Sequence, residues 1–198
     1  MITPPPGWDT PANVESSLWA MLRRGAADAK DPLHTPVFVT QGPYGPNPRT
    51  VILRKASDTT RTLVCFSDVR TEKVTDIQAD PAVAWLFWHP RRKTQLRVYG
   101  HATVHTGGPE TDAAWQGLTP GGRRNYAADP APRTPVDTPE AGIAAYTPVT
   151  DTDIWRPHFV MIHTQVTRLD AVLLDESGHR RLLLDWSDPE PVYTWVVP

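Results

Sequence analysis

The residues best suited to chemistry sit in "FSDVRTEK", Phe66 to Lys73. An apolar run ends at Phe66-Ser67, a tight loop follows, and the pattern predicts a short helix from Thr71 to Ala79 with Thr71 at its N-cap. A helix N-terminus presents unpaired backbone N–H groups and a partial positive charge, so it attracts anions. Lys73 is unfavourable to the helix at that position and therefore wants a negative partner. Ser67, and Arg49 from a neighbouring strand, would complete a phosphate cup. The competing reading is a solvated lysine on a short surface helix.

A second candidate is "RTVILR", Arg49 to Arg54, which reads as a strand with a cation at each end. Side chains alternate along a strand, so the two arginines point to opposite faces, about 16–17 Å apart at roughly 3.3 Å per residue. They cannot easily grip one small anion from one face. Either they are unrelated solvated strand ends, or they touch different parts of a long ligand.

Other candidates carry less. His101 and His105 lie on a predicted strand, about 13 Å apart, without the Cys or carboxylate pattern of a zinc site. No Ser-His-Asp order and no Gly-x-Ser-x-Gly supports nucleophilic hydrolysis. "RRK", Arg91 to Lys93, reads as a hairpin tip. Arg123 and Arg124, in "PGGRRNY", are either exposed loop residues or a lid that brings a cation to an anionic ligand. Trp88, Trp115 and Trp155 read as core or interface aromatics, or as walls for a flat ligand.

The elements that must position these residues are mostly strands. A first helix is expected where Leu18, Met21, Leu22, Gly25, Ala26 and Ala29 form one stripe, capped by Ser16 or Ser17 and stopped near "KDP". "TPVFVT" and "RTVILR" would form a hairpin around "QGPYGPNP", and "TLVCFS" a second after "ASDTTR". "AVAWLFW", Ala82 to Trp88, is a continuous apolar run, expected to be buried on both faces. "QLRVYGHATVH" alternates and should have one packed and one polar face. A third helix is expected over Pro109–Leu118. "HFVMIHTQVTRLDAVLL" should contain a break, and "RRLLLDW" and "VYTWVVP" close the chain. Six or seven strands in largely antiparallel order with two or three short helices predict a mainly β, α+β or barrel domain.

One domain over 1–198 is expected, with a Pro-rich lead (1–12) and a Pro-rich loop (120–150). The formal net charge of −2 argues against a nucleic-acid partner. No apolar stretch is long enough to span a membrane and the start lacks a signal-peptide pattern, so a cytoplasmic location is expected. The single Cys65, in "TLVCF", should be a buried, inert thiol.

Taken together, "RTVILR", "FSDVRTEK", "QADPAVAWLFW" and "QLRVYGHA" occur in an order and spacing that resembles the pyridoxamine 5′-phosphate oxidase family, in its broader FMN-binding branch. The similarity runs from about Thr35 to Val104, and more weakly from Phe159 to Pro198. The resemblance implies an antiparallel split β-barrel with two or three flanking helices, a homodimer with FMN at the interface, and an oxidoreductase acting with an unidentified small-molecule substrate or electron donor. It places Arg49 and Lys73 at the FMN phosphate, with Thr50, Val51, Ile52 and Leu53 along the cofactor and Arg54 near the ring. Phe66 and Ser67 match an aromatic-hydroxyl pair that contacts FMN. Gln95 matches a glutamine that hydrogen-bonds the flavin, and Arg181, or less well Arg180, its last flavin arginine.

The departures are specific. Glu72 stands where the family has an arginine, and would need Arg70 or an arginine of another subunit to neutralise it. Val172 stands where the oxidase has a ring-contacting tryptophan, and "DESGHRRLLL" has no clear match to the substrate-holding Arg-x-His. The resemblance therefore speaks against oxidation of pyridoxine phosphate, and no catalytic acid or base is assigned. A flavin-binding module without turnover, or a split barrel holding deazaflavin or haem, are the alternatives.

Overall fold

The computed structural model describes residues 6–143, 152–188 and 190–198. Among these residues nine strands form one antiparallel sheet, more than the six or seven expected. They are β1 (Val37–Gly42), β2 (Gly45–Thr50), β3 (Lys55–Ser57), β4 (Thr62–Asp68), β5 (Ala82–His89), β6 (Thr94–His105), β7 (Phe159–Leu173), β8 (Arg180–Asp185) and β9 (Val192–Val196). The main path runs β2-β1-β5-β6-β7-β4-β3, and β8 branches from β7 to carry β9.

The 15-residue β7 explains the split. One edge pairs with β6 along its length, while the other edge pairs first with β4 and then with β8. The expected break in this segment is a bulge: Tyr99 pairs with Arg168 but Gly100 pairs with Val166, leaving Thr167 as the extra residue. Gly100 is required there, because a Cβ would lie 2.1 Å from the Gln165 carbonyl oxygen.

"RTVILR" is not one strand. Its first two residues end β2, and residues 51–54 run irregularly between β2 and β3. The partner of β1 is instead "GPNPRT", whose Pro46 and Pro48 are tolerated because β2 lies at the end of the sheet path. Residues 51–54 still have backbone partners. Val51 and Leu53 donate to the carbonyls of Pro36 and His34 at 3.0 and 2.9 Å, and Arg54 donates to that of Val64 at 2.8 Å. The stretch therefore crosses from the β1 side of the barrel to β4.

β5 also differs from expectation. Its burial alternates, with Val83, Trp85 and Phe87 in the core and Leu86 and Trp88 exposed. β4 is buried on both faces: Leu63 and Cys65 join the main core, while Val64 joins a second cluster with Trp115, Tyr126, Trp155, Phe159 and Met161.

Helix α1 (Pro11–Ala27) starts at Pro11 with Thr10 as its cap, so Ser16 and Ser17 lie inside it and the lead is shorter than 1–12. Val14, Leu18, Trp19, Leu22 and Gly25 are its buried residues; Ala29 lies beyond its end. Each large side chain so buried contributes about 1.5–3 kcal/mol. Helix α2 (Glu72–Ala79) carries the expected cap Thr71 and the inward Val74 and Ile77, and α3 (Pro109–Gln116) also forms. The 120–150 segment is not all loop: Pro120–Arg123 and Pro139–Ile143 are short helical turns, and its part from 144 lies outside the described residues. Among the described residues no helix is long and apolar enough to cross a membrane.

Candidate functional site

The Phe66–Lys73 segment folds as the turn from β4 into α2. Asp68 fixes it, accepting the backbone N–H of Arg70 at 2.8 Å and two guanidinium contacts from the same residue at 3.0 and 2.7 Å. The Thr71 hydroxyl donates to the Asp68 carbonyl at 2.7 Å and makes no capping bond to α2; the Val74 amide donates to the Thr71 carbonyl at 3.0 Å, and among the described residues the Glu72 and Lys73 amides have no side-chain acceptor. Lys73 Nζ bends back to the turn, donating to Ser67 Oγ at 3.1 Å and Thr71 Oγ1 at 3.2 Å.

Arg49 reaches the same niche from β2. Its guanidinium donates to Thr40 Oγ1 at 2.6 Å and lies 3.5 Å from an Asp76 carboxylate oxygen. Asp76 is buried on α2 and also accepts from Thr40 Oγ1 at 2.6 Å and Asn47 Nδ2 at 3.1 Å. Burial, followed by the charge of Arg49, holds the Lys73 ammonium below the usual lysine range. Burial likewise lowers Arg49, with Asp76 opposing it. Two half-buried cations thus repel each other, partly offset by the carboxylates of Asp68 and Asp76, and Lys73 has no ion pair among the described residues. A dianion on the open amides of α2 would relieve that repulsion, and these residues fit a phosphate.

The 49–54 stretch alternates as its sequence suggests. Val51 and Leu53 are buried in the core, Ile52 is half-buried, and Thr50 and Arg54 are exposed. The Arg54 guanidinium sits 5.2 Å from the Phe66 ring centroid, on the outer side, and Phe66 packs edge-on against Phe159 at 5.0 Å.

Gln95 belongs to a separate row. Trp88, Gln95, Val172, Arg181 and Val196 are successive cross-strand neighbours on β5 to β9. Arg180 pairs with Leu173 instead, so Arg181 is the arginine in register with Gln95 and Val172. Arg181 is held by a two-point contact to buried Asp170 at 2.9 and 2.8 Å, and Arg97 binds the same carboxylate at 2.6 Å. A cavity of about 340 Å³ opens beside Arg181, walled by Trp8 and Trp195. Within one chain, no hydrogen bond, ion pair or ring contact among the described residues joins this row to the Arg49–Lys73 niche.

Glu72 has a partner that neither expectation named. It is paired with Arg133, while Arg70 is committed to Asp68 and to the carbonyl of Ala128. Arg123 is not on a free lid: it lies 5.0 Å from the Trp115 ring and donates to Asp153 at 2.8 Å, and Arg124 alone of the pair is exposed. Trp115 and Trp155 are buried in the second cluster, whereas Trp88 is exposed on β5. Cys65 is buried, and burial pushes its thiol up to about 12. Thr40, Asn47 and Asp76 were missed from sequence, although the i, i+3 spacing of Lys73 and Asp76 places both on one side of α2.

Comparison with known proteins bears on the fold. Residues 19–106 match the family model "Pyridoxamine 5′-phosphate oxidase, FMN-binding domain". A pyridoxamine 5′-phosphate oxidase-related, FMN-binding protein from Nostoc punctiforme has the same fold, with TM-score 0.76, 21% identity, and 96% of this chain and 98% of that one covered. PhzG from Burkholderia lata, solved with tetrahydrophenazine-1-carboxylic acid, superposes with TM-score 0.76 at 16% identity, over 100% of this chain and 98% of its own. General Stress Protein 26 from Bacillus anthracis is more distant, with TM-score 0.50 and 14% identity over 78% of this chain and 92% of its own. No curated protein matches at a significant level. The motif resemblance and the split-barrel fold are therefore both borne out.

Proposed function

From the premise of a pyridoxamine 5′-phosphate oxidase-like split barrel, we propose that this protein binds FMN between two copies of itself and acts as a flavin-dependent oxidoreductase. The observation that carries this is the Arg49–Lys73 niche: two half-buried cations at a helix N-terminus without a side-chain cap, with Asp76 beside Arg49. FMN, when bound, supplies the electron chemistry. Arg49 would clasp its phosphate with a planar fork and Lys73 with a point charge, while Ser67 and the α2 amides donate hydrogen bonds. Thr50 to Leu53 would run along the cofactor, and Arg54 with Phe66 offers a cation and an aromatic face toward the ring.

The Gln95–Arg181 row would come from the second copy. Leu86 and Trp88, 39% and 44% exposed, share the outer face of that row and offer an apolar surface for pairing. A stable interface needs roughly 1,200–2,000 Å² in total. Asp170 would hold Arg181 in place, and Val172 in the same row would leave the ring face more open than a tryptophan.

Reconstitution with FMN tests this directly. The expected result is a stoichiometric flavin spectrum on a dimeric particle, bleached anaerobically by a reductant. No flavin uptake, or a haem Soret band in the purified protein, would defeat it. A flavin that binds but that neither nicotinamide cofactors nor amines reduce would leave the binding half and remove the enzymatic half.

A further inference from the structure

We propose that the cleft between the end of α1 and the β5–β6 turn is a second anion site, suited to a compact phosphorylated small molecule. Its volume is about 900 Å³, within the size range of small-molecule sites, roughly 300–1,000 Å³. Four cations border it, Arg24, Lys30, Arg91 and Arg92, against two carboxylates, Asp28 and Asp31. The carboxylates are already engaged. Asp31 pairs with Arg24 at 3.2 Å, and Asp28 accepts the Lys30 backbone N–H at 2.9 Å. Lys30, Arg91 and Arg92 have no ion pair among the described residues. The cleft therefore carries a surplus of positive charge.

A neighbouring cleft shows the contrast. Arg91 and Arg92 also border it, but there Asp175 and Glu176 face them, and Lys93 pairs with Glu176 at 3.3 Å. Charge thus directs an anion to the α1 side. The Arg92 backbone N–H donates to His89 Nδ1 at 3.2 Å, which leaves the ring proton on Nε2 and gives the cleft wall a neutral donor. Ala20 and Met21 add an apolar strip along α1, which favours an organic phosphate over a bare ion.

The cleft is distinct from the flavin niche. His89 pairs with Thr94, which is buried on the core side of β6 with Leu96 and Val98, whereas Gln95 and Arg97 face the other way. The site thus lies at the end of the barrel, across the sheet from the Gln95–Arg181 row.

Calorimetric titration with phenyl phosphate at low ionic strength tests the assignment. The full chain is titrated both flavin-free and carrying one equivalent of FMN with the excess removed. One saturable site is expected in the FMN-loaded protein, whose niche is filled, and a second at the Arg49–Lys73 niche in the flavin-free protein, with no binding of phenol in either. Losing a charge-assisted contact of about 1.5–3 kcal/mol predicts at least tenfold weaker binding in Arg91→Ala/Arg92→Ala. Lys30→Ala should weaken it in the same direction, while Lys73→Met removes only the second, niche site of the flavin-free protein. No saturable binding at millimolar probe, undiminished binding in the double variant, or loss of the probe from FMN-loaded protein would overturn the proposal; the last would move the anion to the Arg49–Lys73 niche.

Discussion

Replacing Lys73 with Met keeps the stem that fills the niche and deletes the charge. In the folded chain the ammonium donates to Ser67 and Thr71 and faces Arg49, and burial with that neighbouring cation depresses its pKa. A lysine whose folded pKa is depressed binds fewer protons in the fold than in the unfolded chain between the two pKa values. Stability therefore rises as pH climbs through that interval, and below it the full penalty is present. At neutral pH the variant sheds this penalty and loses two hydrogen bonds worth about 1 kcal/mol each. Because these oppose each other, the flavin-free variant should unfold in urea within about 1 kcal/mol of wild type. Its alkaline gain in stability should also be smaller. FMN affinity should behave differently, since a charge-assisted hydrogen bond of about 1.5–3 kcal/mol corresponds to a ten- to hundredfold loss. Quenching of flavin fluorescence measures that loss. A variant that loses several kcal/mol of stability yet binds FMN like wild type would make Lys73 a structural strut and refute the reasoning.

Three further outcomes follow from the packing. Gly100→Ala places a Cβ against the Gln165 carbonyl and should cost about 3 kcal/mol or more in a denaturant titration; an unchanged midpoint would show that the bulge yields freely. Asp170→Asn removes the acceptor shared by Arg97 and Arg181 and should cost about 2–3 kcal/mol, discounted for the partial exposure of both arginines, as read by thermal unfolding. The Cys65 thiol, pushed up to about 12 by burial, should resist a disulfide reagent at mildly alkaline pH and react fully only in denaturant; rapid native labelling would contradict its burial.

The parts legible in the sequence were those with local signals. α2 follows Thr71, its expected cap, and buries the expected Val74 and Ile77, and the alternation of β6 is retained in its burial. Non-local effects hid the rest. The apolar run in β5 looks doubly buried, yet its outer residues Leu86 and Trp88 are exposed. "RTVILR" has strand composition, but it leaves one ladder to join another and so loses regular pairing. The Lys73 and Arg49 cations were recognisable from position and motif, whereas Asp76, Asn47 and Thr40 come together only through the meeting of β1, β2 and α2. Arg133 reaches Glu72 from a Pro-rich loop whose path no periodicity describes.

The most direct measurement is the affinity of the wild-type protein for FMN beside its affinity for riboflavin, which lacks only the phosphate. Two charge-assisted contacts at the niche predict that FMN binds about a hundredfold tighter or more, and that Arg49→Ala/Lys73→Met brings the two ligands close together. Equal affinities in the wild-type protein would contradict the phosphate clasp on which the flavin assignment rests.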